Sequence, residues 1–313
     1  MDDGNRNLDL TVFLKALVDS RNFIIILVSS ITFIVILYSL TIDNIYRATS
    51  IVVTTEKANS QSSPGSAAAS LASLAGISLA QGDASSDKGS QALKILESRL
   101  FIINFLKTSD LIPEIMAEES WNSSSQSLKY SSDFDQSSRT WKRNEPSEMS
   151  TYREFISNHL RVVKDVDTGF ISISVNHISP LHADMILKEL IKGINNHMRE
   201  IDLASADNAI SYLTEQLQLT NINEIRNVLS NVIEDQIQTK MLANITEEYI
   251  FRVLDPSRIP DRKFSPRRSA IVMISLAISF SSVIFVSFIF FIQGRLLKLR
   301  IYPLEIKINK IDQ

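Results

Sequence analysis

Two long uncharged stretches near the two ends of the chain dominate its pattern of apolar and polar positions. No charged residue occurs between Arg268 and Arg295. The apolar run Ser269 to Gln293 is roughly 25 residues long, or ~37 Å as a helix, enough for a hydrocarbon core of ~30 Å. A bilayer admits such a run as a helix because every backbone polar group is then satisfied internally. A buried helix of a soluble domain seldom runs this far without a charge. The first run, Phe23 to Ile42, lies between Arg21 and Asp43. It is too long for a secretory signal, its head is not net positive, and no small-x-small cleavage site follows in Ser39-Leu40-Thr41-Ile42-Asp43. Two transmembrane helices are therefore expected, at 22–42 and 269–293, after a head at 1–21 and before a tail at 294–313.

Between them lie about 225 residues, enough for one domain with its own core. Tyr46 to Thr55, with Thr49, Ile51, Val52, Val53 and Thr54, reads as a strand leaving the membrane. Residues 57–89 are dominated by Ala, Ser, Gly and Gln, and a mobile loop is expected there. The greasy patch within it, Leu71 to Leu79, suits a short packed turn. Leu93, Leu96, Leu100, Ile103 and Leu106 predict one helix over Gln91–Thr108. Asp110 to Asn144 is polar, Ser-rich and without period, so irregular surface is expected. A short helix is expected at Thr151–Leu160, with Ser150 as N-cap. Ile171, Ile173 and Val175 alternate with Ser172, Ser174 and Asn176, the pattern of a half-buried strand.

The period then changes. Ile186, Leu190, Ile194, Met198, Ile201, Ile210, Leu213 and Leu217 form one helical stripe over roughly 40 residues, or ~60 Å. Asn221 interrupts it, and Ile222, Ile225, Leu229, Val232, Ile233, Ile237 and Met241 continue it to about 245. A helix of that length must project, pair with its successor, or pack on other copies of the chain. Tyr249 to Leu254 reads as a strand returning beside Tyr46–Thr55. The expected class is α+β: two terminal transmembrane helices flanking a domain, 43–268, with a long projecting helix.

A strap joins that domain to the second span. Residues 255–268 carry Pro256, Pro260 and Pro266, three prolines in eleven residues. Proline fixes φ, removes a donor and pushes its predecessor towards extended geometry. The chain is expected to enter the membrane from this stiff segment. An ordinary proline-rich juxtamembrane linker has the same composition.

Composition removes several kinds of chemistry. Net charge is −3, which gives no field for nucleic acid. The absence of cysteine removes disulfides, thiolate catalysis and Cys-based zinc sites. No GxxxxGK[ST] or GxGxxG loop occurs, and Gly76 to Gly82 holds no lysine. His159, His177, His182 and His197 form no HExxH, and the spacing of His177 and His182 across Pro180 is not that of metal ligands. Surface or satisfied histidines are the better account. Glu118-Glu119, Glu234-Asp235 and Glu247-Glu248 read as solvated rather than as an acid/base pair, which needs pocket geometry. Trp121 and Trp141 fit packing anchors better than sugar-stacking platforms. Ser275, Ala277, Ser279 and Ser281 supply small-xxx-small pairs for transmembrane helix packing. No catalytic residue, metal ligand or cofactor site emerges.

The tail carries Arg295, Lys298, Arg300, Lys307 and Lys310 against Glu305 and Asp312, and the head carries Arg6, Lys15 and Arg21. Basic residues in short tails favour the cytoplasm, and long loops translocate largely regardless of charge. Both termini are expected inside and the middle domain outside the inner membrane. The basic strap, with Arg258, Arg262, Lys263, Arg267 and Arg268, opposes this locally.

The order of elements resembles the Wzz-type chain-length determinants, the polysaccharide co-polymerases of bacterial inner membranes. The resemblance covers nearly the whole chain. It is carried by Leu8-Asp9-Leu10, Ile45-Tyr46-Arg47-Ala48, Leu71 to Ser78, Ala92 to Arg99, and His177-Ile178-Ser179-Pro180 with Ala183. It continues through Ile210 to Leu217, Ile225-Arg226, Met241-Leu242-Ala243 and Glu248-Tyr249. It closes with Asp255-Pro256, Pro260 and Pro266-Arg267-Arg268 before the last span. The family implies an α/β base beside the membrane, a long projecting helix and a ring-shaped homo-oligomer. It implies a non-enzymatic regulator of the chain length of an O-antigen, capsule or exopolysaccharide, with a membrane polymerase and a lipid-linked glycan as partners and the periplasm as the site of the middle domain. The last span departs from the family, which usually carries glycines where this chain has Ser275, Ala277, Ser279 and Ser281. Kinase-fused members carry a nucleotide-binding domain after that span, so this chain, with its short tail, is expected to be no tyrosine kinase in itself. The alternatives are an exporter-coupled co-polymerase with a separate kinase and a two-span periplasmic sensor.

Overall fold

A computed structural model describes residues 21–55 and 84–292. The head up to residue 20, the tail from 293, and most of the expected loop at 57–89 lie outside the described residues. The chain divides into a unit of its two end segments and a unit spanning Asn44–Phe264. The first unit holds α1, Arg21–Thr41, and α8, Arg268–Ile292. Both are long and apolar enough to cross a membrane, and they pack against each other.

In the second unit β1, Tyr46–Thr54, lies in the middle of the chain's largest sheet among the described residues. β6 is Leu160–Lys164, β7 is Ile171–His177 and β8 is Phe251–Asp255. The order is β6-β7-β1-β8, antiparallel at every step. Ala48 faces Val175, and Val52 faces Ile171. Thr54 faces Phe251, with an irregularity between Ile51 and Val52. Alternation sets the two faces. Ala48, Val52, Ile171, Ile173 and Val175 point into the core. On the other face a polar ladder forms, with Arg47 Nε donating to Asn176 Oδ1 at 2.7 Å and Thr49 Oγ1 3.0 Å from Ser174 Oγ.

The core lies between the buried face of this sheet and three helices. α2 is Ala84–Leu96, α3 is Arg99–Thr108 and α6 is Pro180–Leu219. The single helix expected at Gln91–Thr108 is thus two. Ser98 breaks it, its Oγ accepting from Phe101 N at 3.3 Å as the N-cap of α3. That bond replaces the helical partner a continuing turn would have offered. Residues 84–89 belong to α2 rather than to a loop. α6 starts on Ser179, whose Oγ accepts from His182 N, with Pro180 as its first residue. Ile186, Leu187, Leu190, Ile191, Ile194 and Met198 of α6 are buried against Ile102, Phe105 and Leu106 of α3 and the sheet. Gly193 permits the close approach, since a Cβ there would stand 3.3 Å from the Phe105 ring.

The segment expected to be irregular, Asp110 to Asn144, is ordered into α4, Ile112–Met116, and two hairpins. β2, Glu118–Asn122, pairs β3, Ser127–Tyr130; β4, Phe134–Asp135, pairs β5, Thr140–Trp141. Their strands are too short and polar to show a period. The following helix, α5, is Glu148–Glu154 and is capped by Ser147, not Ser150. Ser147 Oγ accepts from Ser150 N at 3.2 Å. A π-helical turn, Phe155–His159, carries the chain into β6. It buries Phe155 and His159 together.

Candidate functional site

The features with no counterpart in an ordinary packed domain are a two-helix arm, a strap fastened at both ends, and a buried histidine–carboxylate cluster.

The arm is the outer part of α6 with α7, Asn223–Ile245. α6 has 40 residues, so it runs ~60 Å. Its buried residues lie almost wholly in the first half, from Ala183 to Met198, with Ala206 beyond. α7 buries Ala243 alone. The helices run antiparallel. Lys240 Nζ donates to Asp207 Oδ1 at 2.6 Å, and Arg199 donates to Thr246 O at 3.2 Å. Packing on one another leaves Val228 60 %, Ile237 52 % and Met241 57 % exposed. The stripe read from the sequence is therefore buried near the sheet and only partly covered along the arm, where Ile210, Leu213, Leu217, Leu229 and Ile233 are half-buried and Ile225, Ile237 and Met241 are exposed.

The strap begins where β8 ends. Ser50 Oγ donates to Asp255 O at 2.8 Å. Ser257 Oγ donates to Asp184 Oδ1 at 2.6 Å, and Lys188 Nζ donates to Asp184 Oδ2 at 2.7 Å. Ser257 and Asp184 are both buried. Asp184 sits in the second turn of α6. At the far end Phe264 N donates to Ile45 O at 2.8 Å. The Arg47 guanidinium lies 3.5 Å above the Phe264 ring, and Lys263 Nζ donates to Asn44 Oδ1 at 3.2 Å. Pro256 and Pro260 fall between these fastenings. Pro266 lies in the other unit, its carbonyl accepting from Arg268 N at 3.0 Å. A further tie enters just before the strap. Asn195 Oδ1 accepts from Ile250 N at 2.9 Å and Phe251 N at 2.8 Å, and its Nδ2 donates to Phe251 O at 3.0 Å. No apolar pattern announces Ser257, Asp184 or Asn195, because each is a polar residue buried only by its partner.

The third feature lies where α4, β2, the π turn, β7 and α6 meet. His159, His177 and His182 form a column with ring centroids 5.9 and 5.4 Å apart. Phe155 stacks at one end at 6.2 Å, and Trp121 meets His182 edge-on at 6.2 Å at the other. Ser179 N donates to His177 Nδ1 at 2.9 Å, so the ring proton sits on Nε2. That proton has two acceptors in reach, Glu114 O at 3.0 Å and Glu118 Oε2 at 2.9 Å. The hydrogen-bond direction favours the carbonyl, leaving Glu118 Oε2 buried without a well-aligned donor. His159 Nδ1 lies 2.8 Å from Asn176 O, which fixes its proton on that side, and its Nε2 faces Glu118 Oε1 at 3.8 Å. Burial holds His159 and His182 below the ordinary histidine value, more strongly than Glu118 raises them. Glu114, also buried, accepts from Tyr130 Oη at 3.2 Å and from Arg139 at 3.3 Å. Burial, then the charge of Glu114, pushes the Tyr130 hydroxyl up to about 12.

This corrects the sequence reading of Glu118, which is not a solvated carboxylate. Glu119 is at the surface, 3.0 Å from Lys129. His159, His177 and His182 have backbone or hydroxyl partners, and His197 lies against the Phe101 ring, centroids 5.5 Å apart. Trp121 packs on His182 and Trp141 packs on Phe134, centroids 5.1 Å apart. Among the described residues no group of three His, Asp or Glu side chains is arranged to hold a metal ion.

In the unit of the two end helices, the described buried residues of α1 and α8 are Thr32, Ser39, Ser279 and Val283. Ser275 and Ser279 lie one turn apart, Ser279 Oγ donating to Ser275 O at 2.6 Å. Ala277 and Ser281 lie on an exposed side of α8.

No known protein-family profile matches the chain, and no characterised protein matches it by sequence. Solved structures do resemble it. One described as a full-length bacterial polysaccharide co-polymerase is similar over 90% of this chain and 96% of its own, at 11% identity and a TM-score of 0.36. A fragment of WzzB, a polysaccharide co-polymerase from Salmonella Typhimurium, is similar over 71% of this chain and 100% of its own, at 12% identity and a TM-score of 0.29.

Proposed function

We infer that the chain is a non-enzymatic regulator of polysaccharide chain length, anchored in an inner membrane by α1 and α8. In this reading both termini are cytoplasmic and residues 43–268 are periplasmic. Copies assemble through the arm into a ring beside a membrane polymerase and its lipid-linked glycan. The observation that carries the reading is the arm itself. A ~60 Å helix is half embedded in a sheet domain, and its outer half is paired with α7, which keeps Val228, Ile237 and Met241 more than half exposed. Exposed apolar side chains clustered on a projecting element mark an association surface. Helices that cannot bury their stripe within one domain bury it against copies. The spans and the strap then fix the base of each copy, and the arm sets the height of the assembly. Growing chains end near a preferred length because the ring organises or times the polymerase. The glycan can be an O-antigen, a capsule or an exopolysaccharide.

The test is a polysaccharide ladder on a gel, from cells lacking the chain and cells with it restored. Loss should turn a clustered length distribution into a monotonic decay, and restoration should bring the cluster back. Disappearance of polymer altogether would favour the exporter-coupled reading instead. An unchanged ladder would refute both for that glycan.

A further inference from the structure

A cleft of about 600 Å³ opens along α6, between its Lys188–Arg199 face, residues 247–248 and the start of the strap. Sites for small ligands occupy roughly 300–1,000 Å³. It shares Pro256 and Ser257 with the strap and Arg199 with the base of the arm.

Its wall on α6 is cationic. Lys188, Lys192 and Arg199 all line it. They stand about 6 and 10 Å apart along the axis, at ~1.5 Å per residue. Lys188 already meets Asp184 at 2.7 Å. The other two have no carboxylate within ion-pair distance among the described residues. Lys192 is exposed to the cleft. Arg199 is oriented by neutral acceptors, Thr246 O at 3.2 Å and Asn196 Oδ1. A guanidinium held in place by neutral groups keeps its charge available for an anion. The lining also holds carboxylates, Glu247 and Glu248, next to Thr246, whose carbonyl Arg199 meets. Glu248 Oε1 accepts from Val253 N at 3.3 Å, and Glu247 is exposed. Carboxylates accept hydroxyl protons. Ile191, Val253 and Pro256 give apolar surface.

We propose that this cleft binds an acidic saccharide. Its carboxylate or phosphate groups meet Lys192 and Arg199, its ring hydroxyls donate to Glu247 and Glu248, and a C–H face rests on Ile191, Val253 and Pro256. A simple anion satisfies the cationic wall but is repelled by the glutamates. A neutral glycan satisfies the glutamates but leaves two cations unanswered. An acidic saccharide matches all three surfaces. The assignment extends the chain-length reading, but binding is measured without any polymer being made, so the two fail separately.

The experiment is calorimetric titration of the full chain in detergent micelles with trigalacturonate, maltotriose and pyrophosphate. Trigalacturonate should saturate a site, with maltotriose and pyrophosphate each about tenfold weaker or more. Lys192→Glu should weaken trigalacturonate by about tenfold or more at an unchanged melting temperature. Lys164→Glu, the same charge change on exposed β6, should leave it unaltered. Absence of saturation, or equal effects of the two variants, overturns the proposal. So does pyrophosphate binding as tightly as trigalacturonate, which would make the cleft a reader of charge alone.

Discussion

The Ser257 hydroxyl donates to the Asp184 carboxylate across 2.6 Å, in a position where both residues are buried. The bond fastens the start of the strap to the second turn of the long helix. Short O–H···O⁻ bonds of this length are among the stronger ones. Lys188 takes the other carboxylate oxygen from the solvent side.

Ser257→Ala removes the donor and leaves Asp184 Oδ1 buried and unanswered. An unsatisfied buried acceptor costs about 1–3 kcal/mol. The variant should lose that much in denaturant unfolding of the purified protein. A loss below ~0.5 kcal/mol, the size of an ordinary surface change, would mean that the strap is not held there.

Gly89 lies against the end of β1. A Cβ at that position would stand 2.4 Å from Thr54 Cγ2. Gly89→Ala should therefore destabilise by about 1–3 kcal/mol, as overpacking does, despite the better helix propensity of alanine. Thr54→Ser deletes that methyl, and the nearest remaining side-chain atom, Thr54 Cβ, is 3.3 Å away. The double variant should recover most of the loss. Additive losses in the double-mutant cycle would rule out the contact.

His159 and His182 are kept below the ordinary value by burial, so the unfolded chain takes up protons before the folded one. Their contribution to stability is complete above about pH 6.5, the unfolded value. It is lost as pH falls from there towards the lowered folded values. Glu118 and Glu154 face His159, and Glu114 and Glu118 act on His182. Melting temperature should be level above that pH and fall below it. His159→Gln should make the fall shallower. A melting temperature that rises on mild acidification would contradict this sign.

The exposed stripe of the arm gives a prediction about assembly rather than folding. Ile237 and Met241 are one turn apart on α7 and both more than half exposed. Changing both to glutamate should leave helix content by circular dichroism unaltered and reduce the mass of the detergent-solubilised particle by light scattering. A particle of unchanged mass would place the assembly contacts elsewhere.

Replacing Pro256, Pro260 and Pro266 together by alanine frees backbone angles that proline holds fixed. In a well-expressed triple variant the polysaccharide ladder should broaden without synthesis stopping. An unaltered ladder would count against a role for the strap in setting length.

Elements with a repeating apolar pattern were legible in the sequence. The two long apolar helices, β1, β7, the helical stripe after Pro180 and the returning strand follow from period and length, which depend on the chain alone. The ends of short elements were not. The break at Ser98 and the cap at Ser147 depend on which hydroxyl reaches which amide. The hairpins of 118–141 depend on packing against α4 rather than on any period of their own. The polar interior was least legible. Glu118 resembles its neighbour Glu119 in sequence, yet one is enclosed by His177 and His159 and the other meets Lys129 at the surface. Ser257 and Asp184 stand 73 positions apart, and no local rule pairs them. By itself the sequence determined where the apolar stripes run, because burial of apolar surface is read from residue type and spacing. Only the tertiary structure decided which polar groups meet, because a hydrogen bond needs two atoms brought within 3 Å from distant parts of the chain.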